Sequence, residues 1–399
     1  MYTRIYQGFY TIANLNMSAK RKILFLLPSL RGGGAERTLI NLLKKIDYDS
    51  YVVDLIVVAK TGIYVDQVPK NVNVTFLFNS NFLVRVLGYL YRRFHFSWFF
   101  RKKIENIDAE YDLGISFLDS NYTDLLFFTD HIEKRVAFVH GSYLSHSNYE
   151  KFYQFEAYRK RLKKKRYENL DGIYFVSDDS MSDFIELFGE FPSMGVVYNM
   201  IDKDSVIEKS RSESSQKVKG SFLFAAVGSL MPIKGFDRLV RAAAIARDNG
   251  YEFQIHIAGT GTEEHKLKKM IRELELENTV KLRGFLKNPY PLMKNSDIFV
   301  MSSVSEALPT VLCEAMILGV PTLVTNCSGC RGLVAEGEYG MIAEQDDQDL
   351  ADKMMLYMDR PELLKEYGEK SLERAKLFDD ERILQAYHDI FDGNDSVSI

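Results

Sequence analysis

Five apolar residues in succession, Ile23 to Leu27, bounded by Lys22 and Pro28, predict a strand buried on both faces. Gly32-Gly33-Gly34 follows, then Leu39, Leu42, Leu43 and Ile46 at helical spacing. Apolar runs recur at Tyr51–Ala59, Val72–Leu77, Leu113–Phe117, Val136–Val139, Ile173–Val176 and Gly195–Tyr198, separated by helical stretches. Strands alternating with helices predict a parallel sheet covered on both faces. Residues 202–220, rich in serine and charge and poor in apolar side chains, read as a linker. The alternation then restarts, with strands at Phe222–Val227, Phe253–Ala258, Val280–Arg283, Asp297–Met301 and Val320–Val324. Helices fall near 236–249, 263–276, 310–318 and 347–358, and Gly250 and Gly319 are placed to end two of them. A last helical pattern spans about 362–391. The fold class is therefore α/β: two doubly wound domains facing a central cleft at the carboxyl edges of their sheets. The limits read as an extension over 1–21, a first domain over 22–201, the linker over 202–220 and a second domain over 221–375. A C-terminal helix over 376–399 crosses back to the first domain.

Composition narrows the classes. The 399 residues are 46% apolar and 27% charged, with a formal net charge of −4, which argues against disorder and against a general nucleic-acid binder. Residues 1–200 carry 26 Lys and Arg against 22 Asp and Glu, whereas residues 201–399 carry 25 against 33, so the two halves suit different partners. Three cysteines suit a reducing cytoplasm. The most apolar stretch, Phe82–Phe100, is broken by Arg85, Arg92, Arg93 and His95, so no spanning helix is expected. The first 16 residues lack the apolar core of a signal peptide, and translation from either Met1 or Met17 fits the pattern.

Three strand–turn–helix junctions carry candidate chemistry. Leu30-Arg31-Gly32-Gly33-Gly34-Ala35-Glu36-Arg37 can hold an anion on free backbone N–H groups, or be a plain tight turn. Val227-Gly228-Ser229-Leu230-Met231-Pro232-Ile233-Lys234-Gly235-Phe236-Asp237 opens the second domain at the same topological place, and Lys234 there meets a phosphate or only solvent. Ser305-Glu306-Ala307-Leu308-Pro309-Thr310-Val311-Leu312-Cys313-Glu314-Ala315-Met316 sets two carboxylates eight positions apart. Pro309 starts a helix near Thr310, leaving Glu306 on the loop and Glu314 in the first turn, where the helix dipole favours its ionised form.

Together these stretches resemble the glycosyltransferase family 4 pattern of retaining, nucleotide-sugar-dependent enzymes with the GT-B fold, which pairs two Rossmann-like domains. The matching features are Gly-Gly-Ala-Glu, Val-Gly-x-Leu-x-x-x-Lys-Gly-Phe-Asp, and Glu-x7-Glu followed by Ala-Met and Gly-Val-Pro. Ile257-Ala258-Gly259-Thr260-Gly261 and Glu338-Tyr339-Gly340 fit as well. The resemblance runs from about Lys22 to about Phe391 and is nearest to bacterial enzymes building capsule, lipopolysaccharide or lipid-linked oligosaccharide. It implies an acceptor-binding first domain and a donor-binding second one. Glu314 is implied for the donor's ribose hydroxyls, and Glu306 for the donor sugar. Ala307, Leu308 and Pro309 lie beside it, Pro309 with no N–H to give. The resemblance further implies Lys234 for the departing diphosphate, Gly33 and Gly34 for close backbone approach, and His140 for contact with a sugar. UDP is the expected nucleotide, and no cofactor or metal is expected. Ser229 stands where the family often has arginine, and Ala307 where it usually has glycine. Arg331, on the loop after Val320–Val324, is the candidate to supply the missing phosphate charge.

Asp202-Lys203-Asp204 looks like a metal-binding pair but falls where the family has an interdomain loop, and Cys327 and Cys330 lack the second pair that zinc needs. Two basic stretches point to an anionic membrane surface. Phe82–Lys103 carries Arg85, Arg92, Arg93, Arg101, Lys102 and Lys103 among eight aromatic residues and no acid, and Arg159–Arg166 has seven cations in eight residues. The expected activity is transfer of a sugar to a glycan or lipid-linked acceptor by a cytoplasmic enzyme peripheral to the membrane. The alternatives are a non-catalytic GT-B subunit of a glycan-assembly complex and a nucleotide-sugar 2-epimerase.

Overall fold

The computed structural model describes residues 20–94, 97–105, 107, 109–144, 153–212, 221–394 and 397. Residues 1–19, with Met1 and Met17, and residues 213–220 of the linker lie outside these.

The first domain is a seven-stranded parallel sheet: β1 (Arg21–Leu27), β2 (Tyr51–Ala59), β3 (Asn73–Phe78), β4 (Tyr111–Ser116), β5 (Ile132–Val139), β6 (Gly172–Phe175) and β7 (Met194–Val196). The strand order is β3-β2-β1-β4-β5-β6-β7. β1 shows why its run has no polar face. Ile23, Phe25 and Leu27 pack with Leu39 and Leu42 of the following helix on one side. Leu24 and Leu26 pack with Val84, Leu87, Tyr91 and Phe100 on the other. The second domain repeats the plan with β8 (Phe222–Val227), β9 (Phe253–Ala258), β10 (Val280–Gly284), β11 (Ile298–Met301), β12 (Thr322–Thr325) and β13 (Met341–Ala343), in the order β10-β9-β8-β11-β12-β13. Strand order reverses beside β1 and beside β8, and such a switch point opens a ligand crevice at the carboxyl edge.

The structure corrects three readings. The segment read as a linker begins with a helix, Lys203–Ser210, and its Val206 is buried against the second domain. Asp202 caps that helix by accepting from the Ser205 amide at 3.0 Å, so the Asp-x-Asp pair is a helix start. The last helical pattern is two helices, Glu362–Arg374 and Asp380–Phe391, with Asp379 capping the second through the Arg382 amide. Strand β13, three residues long, was not foreseen.

The final helix packs into the first domain. Ile383, Ala386, Tyr387, Ile390 and Phe391 join its core. The Phe391 ring meets Phe25 edge-on at 6.0 Å, and Tyr387 stacks on Phe138 at 5.3 Å. Lys45 and Asp380 close the same contact with an ion pair of 2.7 Å.

Candidate active site

The turn after β8 fixes Lys234. Pro232–Lys234 form one 3₁₀ turn, and Gly235 then adopts φ 59°, where a Cβ would meet the Ser302 carbonyl at 2.1 Å. Ser302 Oγ donates to the Lys234 carbonyl at 2.9 Å. Lys234 Nζ lies 2.5 Å from Glu306 Oε1, which also accepts from Ser303 Oγ at 2.8 Å. The structure therefore brings together the lysine and the loop carboxylate, 72 residues apart in sequence.

Pro309 is the N-cap residue of the helix Thr310–Ile317, so Glu306 lies on the preceding loop. Glu314 is the fifth residue of that helix, in its second turn rather than its first, and is 1% exposed. Its charge depends on partners more than on the helix dipole. Arg37 Nη1 stands 3.0 Å from Glu314 Oε1, and Tyr290 Oη donates to the same oxygen at 3.1 Å. Burial pushes the Glu314 carboxyl up, and Arg37 opposes that.

The glycine turn after β1 faces this helix. Gly33 is the N-cap residue of the helix Gly34–Leu43, and Glu36 turns back to accept from the Gly33 amide. A Cβ on Gly33 would lie 2.3 Å from Glu36 Oε2, and one on Gly34 would lie 3.7 Å from Thr310 of the second domain. The two helix starts thus oppose each other across the cleft. His140, just past β5, is held by the Phe117 backbone and its ring, with centroids 5.1 Å apart. Its Nε2 is buried without a partner among the described residues. Burial drives its pKa down to about 3, so the imidazole is neutral near pH 7 and offers an acceptor, not an acid.

Ala307 and Leu308 are buried, and the Ala307 carbonyl accepts from Ser177 Oγ at 2.8 Å across the domain seam. The glycine that the family places at 307 has a counterpart opposite it: a Cβ on Gly329 would meet the Ala307 carbonyl at 2.2 Å. Ser229 is exposed after β8. Arg331 pairs with a carboxylate of its own domain. Its Nε lies 3.1 Å from Glu336, and its charge acts on Asp179, whose carboxyl burial pushes up to about 6. Cys327 and Cys330 are buried, with a thiol–thiol hydrogen bond, and no metal-binding group of three occurs among the described residues. Arg37, Tyr290, Ser177 and Gly329 escaped the sequence reading. Arg37 closes the glycine-turn stretch, where no role was assigned to it.

Residues 32–205 match the family model Glycosyltransferase Family 4, and residues 208–374 match the model Glycosyl transferases group 1. A glycosyltransferase of Campylobacter jejuni, named N-acetylgalactosamine-N,N'-diacetylbacillosaminyl-diphospho-undecaprenol 4-alpha-N-acetylgalactosaminyltransferase, is 30% identical over 220 residues, 54% of this chain and 59% of that one. An uncharacterized glycosyltransferase of Methanocaldococcus jannaschii is 30% identical over 206 residues, 44% and 50% of the two chains. The chain thus spans about half the length of the curated relatives it matches. Anabaena HepE, solved with UDP and glucose, superposes with a TM-score of 0.73 at 21% identity, over 93% of this chain and 99% of that one. TarM gives 0.75 at 14% identity, over 95% and 100%. Two family matches that follow one another along the chain, on two doubly wound domains closed over one cleft, show that this protein belongs to the GT-B glycosyltransferases.

Proposed function

We infer that the protein is a retaining glycosyltransferase. It moves a sugar from a nucleotide-sugar donor, with UDP expected, to a saccharide or lipid-linked saccharide acceptor in cell-surface polysaccharide synthesis. The observation that carries this is the Lys234–Glu306 pair, 2.5 Å apart in the crevice beside β8. The names of the Campylobacter relative, with its diphospho-undecaprenol acceptor, and of the UDP- and glucose-bound Anabaena structure support the choice of donor and acceptor.

An ammonium has three N–H donors, and Glu306 takes one. The others serve the donor diphosphate, stabilising the charge that grows as the C1–oxygen bond breaks. Glu306 accepts from a hydroxyl of the transferred sugar, and Glu314 from the ribose. His140 Nε2, neutral and without a partner among the described residues, accepts from a sugar hydroxyl. The acceptor oxygen attacks C1 on the face the phosphate leaves, and its proton passes to the leaving phosphate oxygen. Configuration is retained without a protein nucleophile. The remaining contribution is positioning across two helix starts. Lys234 supplies the cation, so no divalent metal is required. Transfer that stops with EDTA and returns with magnesium contradicts that. The anomeric configuration of the product, read by NMR, tests retention: an inverted product refutes the mechanism.

The acceptor's carrier fits one face of the first domain. The helices Asn81–Phe94 and Trp98–Glu105 bury Val84, Leu87, Tyr91 and Phe100. They expose Phe82 at 76%, Tyr89, Phe94 at 63% and Trp98 at 53%, among the exposed Arg85, Arg93, Arg101, Lys102 and Lys103. Exposed rings beside cations suit an anionic lipid interface. The second basic stretch contributes less than its seven cations suggest. Arg166 is buried, 3.2 Å from Asp119 and 2.5 Å from Asp124. Lys160, Arg161, Lys164 and Lys165 remain exposed. Tyr91 donates to Asp124 as well, so one buried node joins both basic segments.

A further inference from the structure

The two oxygens of Glu314 are used unequally. Oε1 receives Arg37 at 3.0 Å and Tyr290 at 3.1 Å. A carboxylate oxygen accepts about two hydrogen bonds, so Oε1 is saturated. Oε2 is buried and has no partner among the described residues. The two donors are also joined to each other: the Arg37 guanidinium donates to Tyr290 Oη and lies 5.7 Å from the centre of its ring. Arg37 comes from the helix Gly34–Leu43 of the first domain, and Tyr290 from the helix Tyr290–Lys294 of the second.

The other charged or titratable groups around Glu314 are Tyr64 on the loop after β2, Lys209 at the end of the helix Lys203–Ser210, and its own neighbour Cys313. Burial raises both Tyr64 and Cys313, keeping them neutral near pH 7. Lys209 acts only through space. Arg37 is thus the cation in contact. A buried carboxyl with its cation removed drifts toward the neutral acid, which is a poorer acceptor.

We propose that Arg37 and Tyr290 are positioning residues for nucleotide recognition: they fix Glu314 through Oε1 and present Oε2 to the ribose hydroxyls of a nucleoside diphosphate. The proposal rests on the ribose role of Glu314. It makes the first domain part of the nucleotide subsite, although Arg37 need not touch the nucleotide. Ribose is then held well only while the domains are closed.

Calorimetric titration of the full chain with UDP and 2′-deoxy-UDP, from about pH 6 to about pH 8, tests this. Arg37→Met weakens UDP binding about tenfold near pH 6. The loss shrinks as pH rises, because a carboxyl raised by burial regains its charge as the solution becomes more basic. Tyr290→Phe gives a smaller loss that varies little with pH, and Arg37→Lys recovers part of the affinity. The penalty for 2′-deoxy-UDP relative to UDP is smaller in Arg37→Met than in the wild type. UDP binding in a folded Arg37→Met protein that equals or exceeds wild type at every pH overturns the proposal. The second case would make Arg37 a competitor of the ribose. Should Arg37→Met not fold, unchanged UDP affinity in both Arg37→Lys and Tyr290→Phe overturns it equally. Glu314→Gln separates the two levels. If it binds UDP normally, the ribose role itself is wrong. If it loses UDP while the Arg37 variants do not, only the positioning role is.

Discussion

Lys234 and Glu306 neutralise each other at 2.5 Å until a donor arrives, so each should matter chiefly when charge develops. Lys234→Ala and Glu306→Ala should each lower turnover by about 10²-fold or more, on the scale of a lost electrostatic contact, as measured by steady-state rates. A second residue prediction concerns the seam. Burial pushes the Asp179 carboxyl of the folded protein up to about 6, against a usual 3.8. A raised acid favours the folded state most below about pH 4 and loses that contribution as pH rises through about 6. Asp179→Asn should therefore raise the melting temperature at pH 8 and change it little at pH 4, in thermal scans at the two pH values. The motif residues were legible because their spacing is local: Lys234 in its turn, Glu306 and Glu314 eight apart. Arg37 was not, because a contact across 277 residues leaves no trace in local pattern.

Elements were legible where the period was long and unmixed. The runs in β1 and β2 announced buried strands, and the helix Thr310–Ile317 began where Pro309 required. Three-residue β13 offered no period to read. Asp202, a helix cap in a polar stretch, looked like linker because caps and loops favour the same residues. The helices Asn81–Phe94 and Trp98–Glu105 mixed two signals, since one face is core and the other exposes rings and cations. That outer face yields a prediction. The wild type should float with anionic vesicles at low salt and be released as salt rises. Charge reversal at Arg93, Lys102 and Lys103 should abolish flotation without lowering the melting temperature. Failure of the wild type to float assigns the face to another role.

At the scale of the molecule, β1 and the helix Asp380–Phe391 share one core. The helix Asp380–Phe391 closes the first core, and Phe391 is fully buried there. Phe391→Ala should cost about 3–5 kcal/mol, the range for a large core truncation, and denaturant unfolding should show it in the first domain. The return of a surplus helix to the first domain was expected, but the contacts it makes there were not, since an apolar face names no partner. Closure by this helix and by the Ser177–Ala307 seam sets two helix starts against one cleft, and that cleft defines the account. Its most direct test is release of nucleoside diphosphate from a panel of nucleotide-sugars, with EDTA present, by wild type and by Lys234→Ala. Release from one donor by the wild type is expected, with a rate about 10²-fold lower in the variant. Equal release by a folded Lys234→Ala, or conversion of the sugar to its epimer in place of release, would contradict it.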